Sequence, residues 1–293
     1  MMMLFMNNVF QLLETMTNPT FIFIDGSYYN HHRYFSLMTW WKNAYPNESL
    51  VNPIENGKFV DKFRKTFIDN VTEIPKRLDI DKNIHPILIV GKDCKRENIW
   101  RTQLCKDNIA FQGEYKGGRK NNIEHGFMGG ALFKLAHEEK LFEAGGVQAI
   151  LSHPCLEADD CIAISTKYIL EKYPESHIYI ITSDKDYLQL AGDQVELFDL
   201  SYRKLTEQKT CLRDPEMDLF CKIVMGDPSD NIKSVLKKCG PKTAIKCFQD
   251  RQYFEDRLKK ENAYELYNFN KTLIDFDEIP QHLVDEFVQS LKK

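Results

Sequence analysis

The sequence has no uninterrupted apolar run of about 18 residues, the length that a membrane-spanning helix needs, so no membrane segment is expected. The opening segment, MMMLFMNNVFQLL, is apolar but has neither a basic leading region nor a small-residue cleavage site. It therefore predicts an amphipathic helix rather than a secretion signal. We interpret the chain as an intracellular protein of the cytoplasm or the nucleus.

Closely spaced cysteine pairs are also missing. The 8 cysteines form no CxxC motif and are not accompanied by histidines at the spacing of zinc ligands. A zinc site and a disulfide framework are both disfavoured by this pattern. Reduced, mostly buried thiols are expected, as in other intracellular proteins.

Acidic residues are present in short motifs, and several of these follow apolar segments typical of buried strands. Parallel strands deliver such residues to one crevice at their carboxyl ends. Carboxylates that converge in this way repel one another unless cations neutralise them. Without cysteine or histidine partners, an all-oxygen site favours Mg²⁺ or Mn²⁺. The acidic residues concerned are Asp25, Asp93, Glu157, Asp159, Asp160, Asp184, Asp186, Asp227 and Asp230.

The order of the apolar segments predicts an α/β fold with a mostly parallel central sheet. Strands are expected at Phe21–Asp25, Pro86–Val90, Val147–Leu151, Ile178–Thr182 and Val195–Leu200. Helices are expected at roughly 27–45, 56–78, 126–143 and 157–173. After about residue 205 the strand signal ends and short helical segments follow, so we predict a catalytic domain at 1–205 and a helical region at 206–293.

A basic, glycine-rich segment interrupts this alternation at 111–130, with the sequence FQGEYKGGRKNNIEHGFMGG. A solvated surface loop is the ordinary interpretation of such a segment. Here it follows the strand that precedes Asp93, so it is expected above the acidic crevice. Basic groups in that position suit a phosphodiester backbone.

Several motifs occur together in one order: GKD, EYKGGR, EADD, TSDKDYLQL, GDPSDNI and GPKTA. This order resembles the 5′-nuclease superfamily, which includes bacteriophage 5′-exonucleases, the 5′-nuclease domain of bacterial DNA polymerase I and the flap endonucleases. The resemblance covers about residues 21–249. It implies a PIN-like (Rossmann-like) core with a helical arch at about 111–135, followed by a helix–three-turn–helix at about 219–249.

The resemblance also implies a two-metal hydrolysis of phosphodiesters, with two Mg²⁺ or Mn²⁺ ions. All nine acids match the family's metal-binding positions. The first ion would be held by Asp25, Asp93, Glu157 and Asp159. The second would face Asp160, Asp184, Asp186 and Asp230, with Asp227 in support. Among the catalytic residues implied are Lys116 and Arg119, which would contact the scissile phosphate, and Asp186.

DNA contacts are implied at two further places. In the arch they fall on Tyr115, Lys116, Arg119 and Lys120; Tyr115 either stacks on a base or packs under the arch. In the helix–three-turn–helix they fall on Gly240, Lys242, Thr243 and Lys246, with a K⁺ ion at the turn. The family's Gly-x-Gly-x-Lys motif here begins with Lys238 instead of glycine. Arg33 is the candidate for an arginine expected one residue earlier.

Net charge is close to neutral, because 39 basic residues oppose 43 acidic ones. Nine of the acids belong to the predicted cation site, so the remaining surface is mildly basic. Residues 233–246 carry five lysines and no acidic residue, which favours binding to nucleic acid. These lysines are Lys233, Lys237, Lys238, Lys242 and Lys246.

The function predicted from these features is a structure-specific 5′-nuclease, a monomer that acts as 5′-3′ exonuclease and flap endonuclease and removes RNA primers in replication or repair. Its DNA partners would be 5′ flaps, 5′ ends and RNA-primed junctions. Two alternatives are a PIN-type ribonuclease and a non-catalytic DNA junction binder. A polymerase or a sliding clamp is a further candidate partner, since Gln281, Val284 and Phe287 faintly resemble a clamp-binding motif; an amphipathic terminal helix explains them equally well.

Overall fold

The computed structural model of the chain describes residues 18–108, 114–120 and 127–291, with the backbone alone at Arg119 and Lys120. The opening segment, for which the sequence predicts an amphipathic helix, lies outside these residues, as do residues 111–113 and 121–126 of the predicted arch. Within the described ranges, no helix combines the length and the apolar character needed to cross a membrane.

A five-stranded parallel sheet forms the centre of the fold, in the order β3-β2-β1-β4-β5. The α/β class and the parallel sheet are thereby confirmed. Every observed strand overlaps its prediction; the largest differences are a later start of β3 and an earlier end of β5. The strands are β1 (Thr20–Asp25), β2 (Ile87–Gly91), β3 (Ala149–Leu151), β4 (His177–Ile181) and β5 (Val195–Phe198).

Helices fill the connections, and most fall where the apolar pattern predicts them. The helix expected at 56–78 is divided in two at Glu73. Pro75 follows two residues later and cannot continue the preceding helix, but it is tolerated in the first turn of the next one. A helix that begins at Trp100 was not predicted. The helices are α1 (Gly26–Ala44), α2 (Gly57–Thr72), α3 (Ile74–Arg77), α4 (Trp100–Asp107), α5 (Gly130–Glu138), α6 (Leu141–Ala144), α7 (Ala158–Lys172), α8 (Pro215–Met225), α9 (Pro241–Gln249), α10 (Arg251–Glu261), α11 (Tyr264–Ile274) and α12 (Gln281–Leu291).

Both faces of the sheet are covered by helices, which is why its strands are apolar on both sides. Alternate residues of β1 enter different cores: Ile22 and Ile24 pack with helices α1 and α2, whereas Phe21 and Phe23 pack with α7. This double burial fixes the strands, so their carboxyl ends form a rigid edge on which a site can be built.

The region after residue 205 contains a helical cluster of its own, in which Phe220, Leu236 and Phe254 are buried. The last helix, α12, instead returns to the α/β core and packs with α7. Phe287 on this helix is only 1% exposed. A clamp-binding motif must present its aromatic residue to a partner, so that interpretation is wrong, and the amphipathic helix is the correct alternative.

Candidate active site

The carboxyl edge of the sheet brings together acids from three strands and from the start of α7. Asp25 ends β1, where it accepts a hydrogen bond from the Tyr28 backbone amide at 2.9 Å and so caps helix α1. Its other oxygen accepts from the Thr182 hydroxyl at 3.2 Å. Asp93, after β2, accepts from the Ser27 hydroxyl and from the Ala158 amide at the first turn of α7. These bonds fix both carboxylates at the crevice.

Four carboxylates at this edge, which we call the open quartet, have no lysine or arginine within ion-pair distance among the described residues. They are Asp25, Asp93, Asp159 and Asp184. Burial, followed by the charges of Asp93 and Asp184, raises the pKa of Asp25 to about 7. Burial, followed by the charges of Glu157 and Asp160, raises the pKa of Asp159 well above its usual range. Negative charge is therefore only partly compensated here, by the more distant charges of Arg101 and Lys116.

Tyr187 lies directly beneath the open quartet and is completely buried. Its hydroxyl makes no hydrogen bond within the described part of the chain. Burial and then the charges of Asp25, Asp159, Asp184 and Asp93 raise its pKa, so the group is close to all four carboxylates. A buried hydroxyl without a partner is costly. It fits a site that receives a hydrated ion, whose water accepts the hydrogen bond.

Glu157 and Asp160, in contrast, are paired with basic side chains. Arg101 contacts both, with distances of 3.2 Å to Glu157 and 2.8 Å to Asp160. Lys116 places its ammonium 2.6 Å from the second Glu157 oxygen and 3.6 Å from Asp230. Burial opposes the charge of Glu157, but Lys116 and Arg101 outweigh it and lower the pKa of this carboxyl.

A second acidic group forms where Asp186, which follows β4, meets Asp227 and Asp230 of the loop after α8; one carboxylate oxygen of each lies within 4.8 Å of the others. Lys222 of α8 contacts Asp186 and lies 2.9 Å from Asp227. Burial raises the pKa of Asp227, but Lys222 and Ser229 prevail and hold it at about 2. This group is thus largely balanced by the chain itself.

The observed grouping differs from the partition that the resemblance implied. Asp160 lies with Glu157 and Asp159, all within 4.8 Å, rather than with Asp184, Asp186 and Asp230. Asp227 lies within 4.8 Å of Asp186 and Asp230, so its carboxylate adjoins the acids that it was expected to support. The cause is the start of α7, which turns Asp160 toward Arg101 and into the core.

Tyr115 is 4% exposed, and this burial favours packing over stacking on a DNA base. Its hydroxyl lies 3.2 Å from Glu157 and 3.3 Å from Asp230, within hydrogen-bond range of either carboxylate. The next residue, Lys116, lies at the meeting point of the acidic groups. The side chains of Arg119 and Lys120 are outside the described residues.

Gly226 fixes the loop that carries two members of the second acidic group. Its backbone has φ = 72°, in the left-handed region that favours glycine. A Cβ atom there would lie 2.5 Å from the Ile232 and Lys233 carbonyl oxygens. The Asp227 amide then bonds to Ile232 at 3.0 Å, and this closure turns the carboxylates inward. The motif MGDPSDNI is thus explained by its geometry.

The predicted DNA-binding turn lies before α9, where Gly240 precedes Pro241 at the first helical position. Lys242 and Lys246 are exposed on one side of α9, and Thr243 is half-buried at its first turn. Lys238, which replaces the family's glycine, has φ = 52°. The backbone at this position is therefore left-handed although the residue is not glycine. Arg33 is on α1, beside Tyr29 and Tyr202 and away from the carboxylates. Burial lowers the pKa of its guanidinium.

The two basic partners Arg101 and Lys222 were not found by sequence reasoning. Each is a single cation in an otherwise ordinary amphipathic segment, and its carboxylate partners are distant in sequence. Lys222 offers one faint signal, because it lies five residues before Asp227 and one turn of α8 from the loop. Arg101 offers none.

The donor set fits divalent cations. It consists of carboxylate oxygens, which suit Mg²⁺ and Mn²⁺, and burial raises the pKa of the nearby Cys94 thiol, which disfavours a thiolate ligand. The raised pKa of Asp25 and the partnerless Tyr187 hydroxyl both indicate an excess of negative charge at the open quartet. A cation there would relieve both.

Divalent ions are therefore expected to raise the melting temperature of the protein. At 100 times the dissociation constant the gain is about 2.7 kcal/mol, or several degrees. Asp25→Asn removes a charge that burial disfavours, so without ions this variant should melt higher than the parent, and more so at pH 8 than at pH 5. Its gain from Mg²⁺ should shrink. Differential scanning calorimetry with EDTA or Mg²⁺ measures both; an unchanged Mg²⁺ gain contradicts the assignment.

Comparison with known proteins gives consistent matches. A family model described as "5′-3′ exonuclease, N-terminal resolvase-like domain" matches residues 20–216. A 5′-3′ exonuclease of Mycoplasmopsis pulmonis is 28% identical over 252 residues, 83% of this chain and 71% of that protein. A 5′-3′ exonuclease of Buchnera aphidicola subsp. Acyrthosiphon pisum is 37% identical over 234 residues, 78% of this chain and 69% of that protein.

Among solved structures, a pseudo-enzyme-product complex of the bacteriophage T5 D15 flap endonuclease with DNA and metal ions is similar in fold. Its TM-score is 0.57, with 18% sequence identity, and the match covers 94% of this chain and all of that one. At this identity the match establishes the shared fold. It extends beyond the sheet and includes the helical region after residue 205.

Proposed function

The chain belongs to the 5′-3′ exonuclease family with an N-terminal resolvase-like domain, and we propose that it is a structure-specific, divalent-metal-dependent 5′-nuclease acting on DNA. The observation that carries the proposal is the convergence of the open quartet and the second acidic group at one edge of the sheet. An inactive binder has no use for such mutual repulsion, so the non-catalytic alternative is disfavoured.

Mg²⁺ is the proposed cofactor, with Mn²⁺ as a substitute, at two sites. Asp25, Asp93, Asp159 and Asp184 would hold one ion, and Asp186, Asp227 and Asp230 the other. When bound, the ions supply the positive charge that stabilises the attacking and leaving oxygens of an in-line displacement.

The side chains of the protein then have distinct tasks. Lys116 lies between Glu157 and Asp230, where its ammonium can turn to a non-bridging phosphate oxygen and offset developing charge. Lys222 holds Asp186 and Asp227 in place. Tyr115 fills the space beneath and keeps bulk water from Glu157. Arg119, on the same short segment as Lys116, is proposed as a second phosphate contact.

Duplex DNA is proposed to bind along α9 and the turn before it. Residues 233–246 contain exposed lysines and no acidic residue. Backbone N–H groups at a helix N-terminus are suited to bind phosphate. A K⁺ ion at the turn is part of this proposal, supported by the left-handed backbone at Lys238. Contacts of this kind are to phosphates and carry no sequence information.

Replacing Lys242 and Lys246 with alanine is expected to weaken duplex binding and to reduce its salt dependence. Removal of each phosphate contact should lower the slope of log K against log salt by about 1. Fluorescence anisotropy at several KCl concentrations measures the slope. Lys259→Ala with Lys260→Ala, on α10, is the matched control. An unchanged slope in the α9 variant would place the duplex elsewhere.

The proposed substrates are DNA with 5′ flaps or 5′ ends, including RNA-primed junctions. The test compares a labelled double-flap DNA with single-stranded RNA of equal length, each with Mg²⁺ and with EDTA. We expect Mg²⁺-dependent cleavage near the flap junction and at least tenfold slower cleavage of the RNA. Faster cleavage of the RNA would support the PIN-type ribonuclease, and binding without cleavage would support the junction binder.

A further inference from the structure

Arg101 is a fully charged side chain in the protein interior, at the first turn of α4 and only 2% exposed. Its guanidinium contacts both Asp160 oxygens, at 2.9 and 2.8 Å, and donates a hydrogen bond to Glu157 at 3.2 Å. Its Nε donates to the Leu273 carbonyl at 2.7 Å. A buried arginine with this many partners is held in one geometry.

Asp160 uses its two oxygens differently: Oδ1 lies 2.8 Å from Arg101 and accepts no hydrogen bond within the described part of the chain, whereas Oδ2 has several donors. Besides Arg101, its Oδ2 accepts from the Trp100 indole at 3.0 Å and from the Glu157 amide at 3.1 Å. The residue is completely buried. Its charge is already balanced by the ion pair with Arg101, so a divalent ion has less to gain from Asp160 than from Asp159, which has no basic group within ion-pair distance among the described residues.

The consequence is a fixed first turn of α7. The Glu157 amide and carboxylate are both tied to the Arg101–Asp160 pair. Because Asp160 faces inward, Asp159 is directed to the open quartet. The orientations of Glu157 and Asp159 thus depend on the Arg101–Asp160 pair, which lies behind them.

We propose that Arg101 is a positioning residue for the carboxylates of the cation site, and that Asp160 is its anchor rather than an ion ligand. This inference deepens the proposed function and rests on it. The Arg101 bond to Leu273 adds a connection to the end of α11. The same helix holds Asn270, whose amide donates to the Ile223 and Lys233 carbonyls. One arginine therefore joins the acidic edge to the helices proposed to grip DNA.

Lysine cannot replace this guanidinium, although it carries the same charge. A single ammonium lacks the planar fork that reaches two Asp160 oxygens, Glu157 and Leu273 together. Arg101→Lys therefore separates geometry from charge. Arg203→Lys is the matched control, because Arg203 contacts the buried Asp199 at 2.8 Å after β5 and touches no residue of the site.

The experiment measures Mn²⁺ affinity without DNA by isothermal titration calorimetry, together with kcat and KM on flap DNA. Supporting groups behind metal ligands typically contribute 10- to 100-fold to affinity or activity. For Arg101→Lys we expect Mn²⁺ binding weaker by about that range, a similar fall in kcat, and KM within about threefold. The Arg203→Lys control should match the parent. Arg101→Lys with parental affinity and kcat overturns the proposal.

A double-mutant cycle tests the role of Asp160. If Asp160 acts through Arg101, Arg101→Lys combined with Asp160→Asn should bind Mn²⁺ no more weakly than the poorer single variant. If the two substitutions instead weaken Mn²⁺ affinity by factors that multiply in the double variant, Asp160 is identified as a ligand and its role as anchor is overturned.

A variant that fails to fold is replaced by Trp100→Phe, which keeps the packed ring and removes one bond to Asp160. We expect about fivefold weaker Mn²⁺ binding, the equivalent of one hydrogen bond; an unchanged affinity overturns the proposal. Because Mn²⁺ binding is measured without DNA, a parent protein that binds the ion but cuts no DNA would refute the proposed function and leave this inference standing.

Discussion

Asp159→Asn is expected to lower the rate of Mg²⁺-dependent cleavage by about 10³-fold or more. Asp159 belongs to the open quartet, has no basic partner within ion-pair distance in the described part of the chain, and is turned outward by the first turn of α7. Removing it takes away a charge that Arg101 and Lys116 offset only in part and that a divalent ion would balance. A loss of about 4 kcal/mol in transition-state stabilisation corresponds to this factor.

Single-turnover kinetics on flap DNA measure the rate, and anisotropy in EDTA measures binding. Binding should stay within about threefold of the parent, because the proposed duplex contacts lie on α9. The matched control is Asp199→Asn, a buried acid after β5 that is paired with Arg203. Cleavage by Asp159→Asn at more than a tenth of the parental rate would remove Asp159 from the site.

Lys116→Met should reduce cleavage by about 10²-fold and yet fail to weaken divalent-ion binding. Its ammonium lies 2.6 Å from Glu157 and contributes charge of the same sign as the ion. Without it, the carboxylates repel more strongly and attract the ion at least as well. The catalytic loss follows from the missing phosphate contact, a type of group that contributes 10²- to 10³-fold.

For Lys116→Met the cleavage rate should therefore fall while the Mn²⁺ affinity does not. Replacement of a metal ligand should lower both, so the two kinds of variant can be distinguished. Calorimetry gives the Mn²⁺ affinity, and single-turnover rates give the chemistry. Lys116→Arg should recover part of the rate. Lys134→Met is the control, since Lys134 pairs with Glu138 on the surface of α5. A tenfold weaker Mn²⁺ affinity in Lys116→Met would contradict this account.

The acidic edge was predictable from the sequence because each contribution to it is local. Asp25 and Asp184 follow short apolar runs, and parallel strands bring such positions to one side of a sheet. The same reasoning predicted the sheet itself. Lys238 shows its limit: the sequence departs from the glycine pattern, but the backbone there is left-handed.

The partners of the acids were not predictable, because they depend on packing between distant segments. Arg101 meets Asp160 across 59 positions and Leu273 across 172. Nothing in the local pattern around Arg101 separates it from a surface arginine. Tyr115 was similarly ambiguous until its burial favoured one of two alternatives. Tertiary packing, and not propensity, determined these contacts.

Arg101, Lys116 and Lys222 act as built-in counterions, and this has a consequence for how the protein matures. Because the polypeptide offsets much of its own acidic charge, we expect it to reach its folded shape before any divalent ion arrives. Loading then becomes a late and reversible event. Such a protein would persist intact through a shortage of the metal and regain competence as soon as the supply returned.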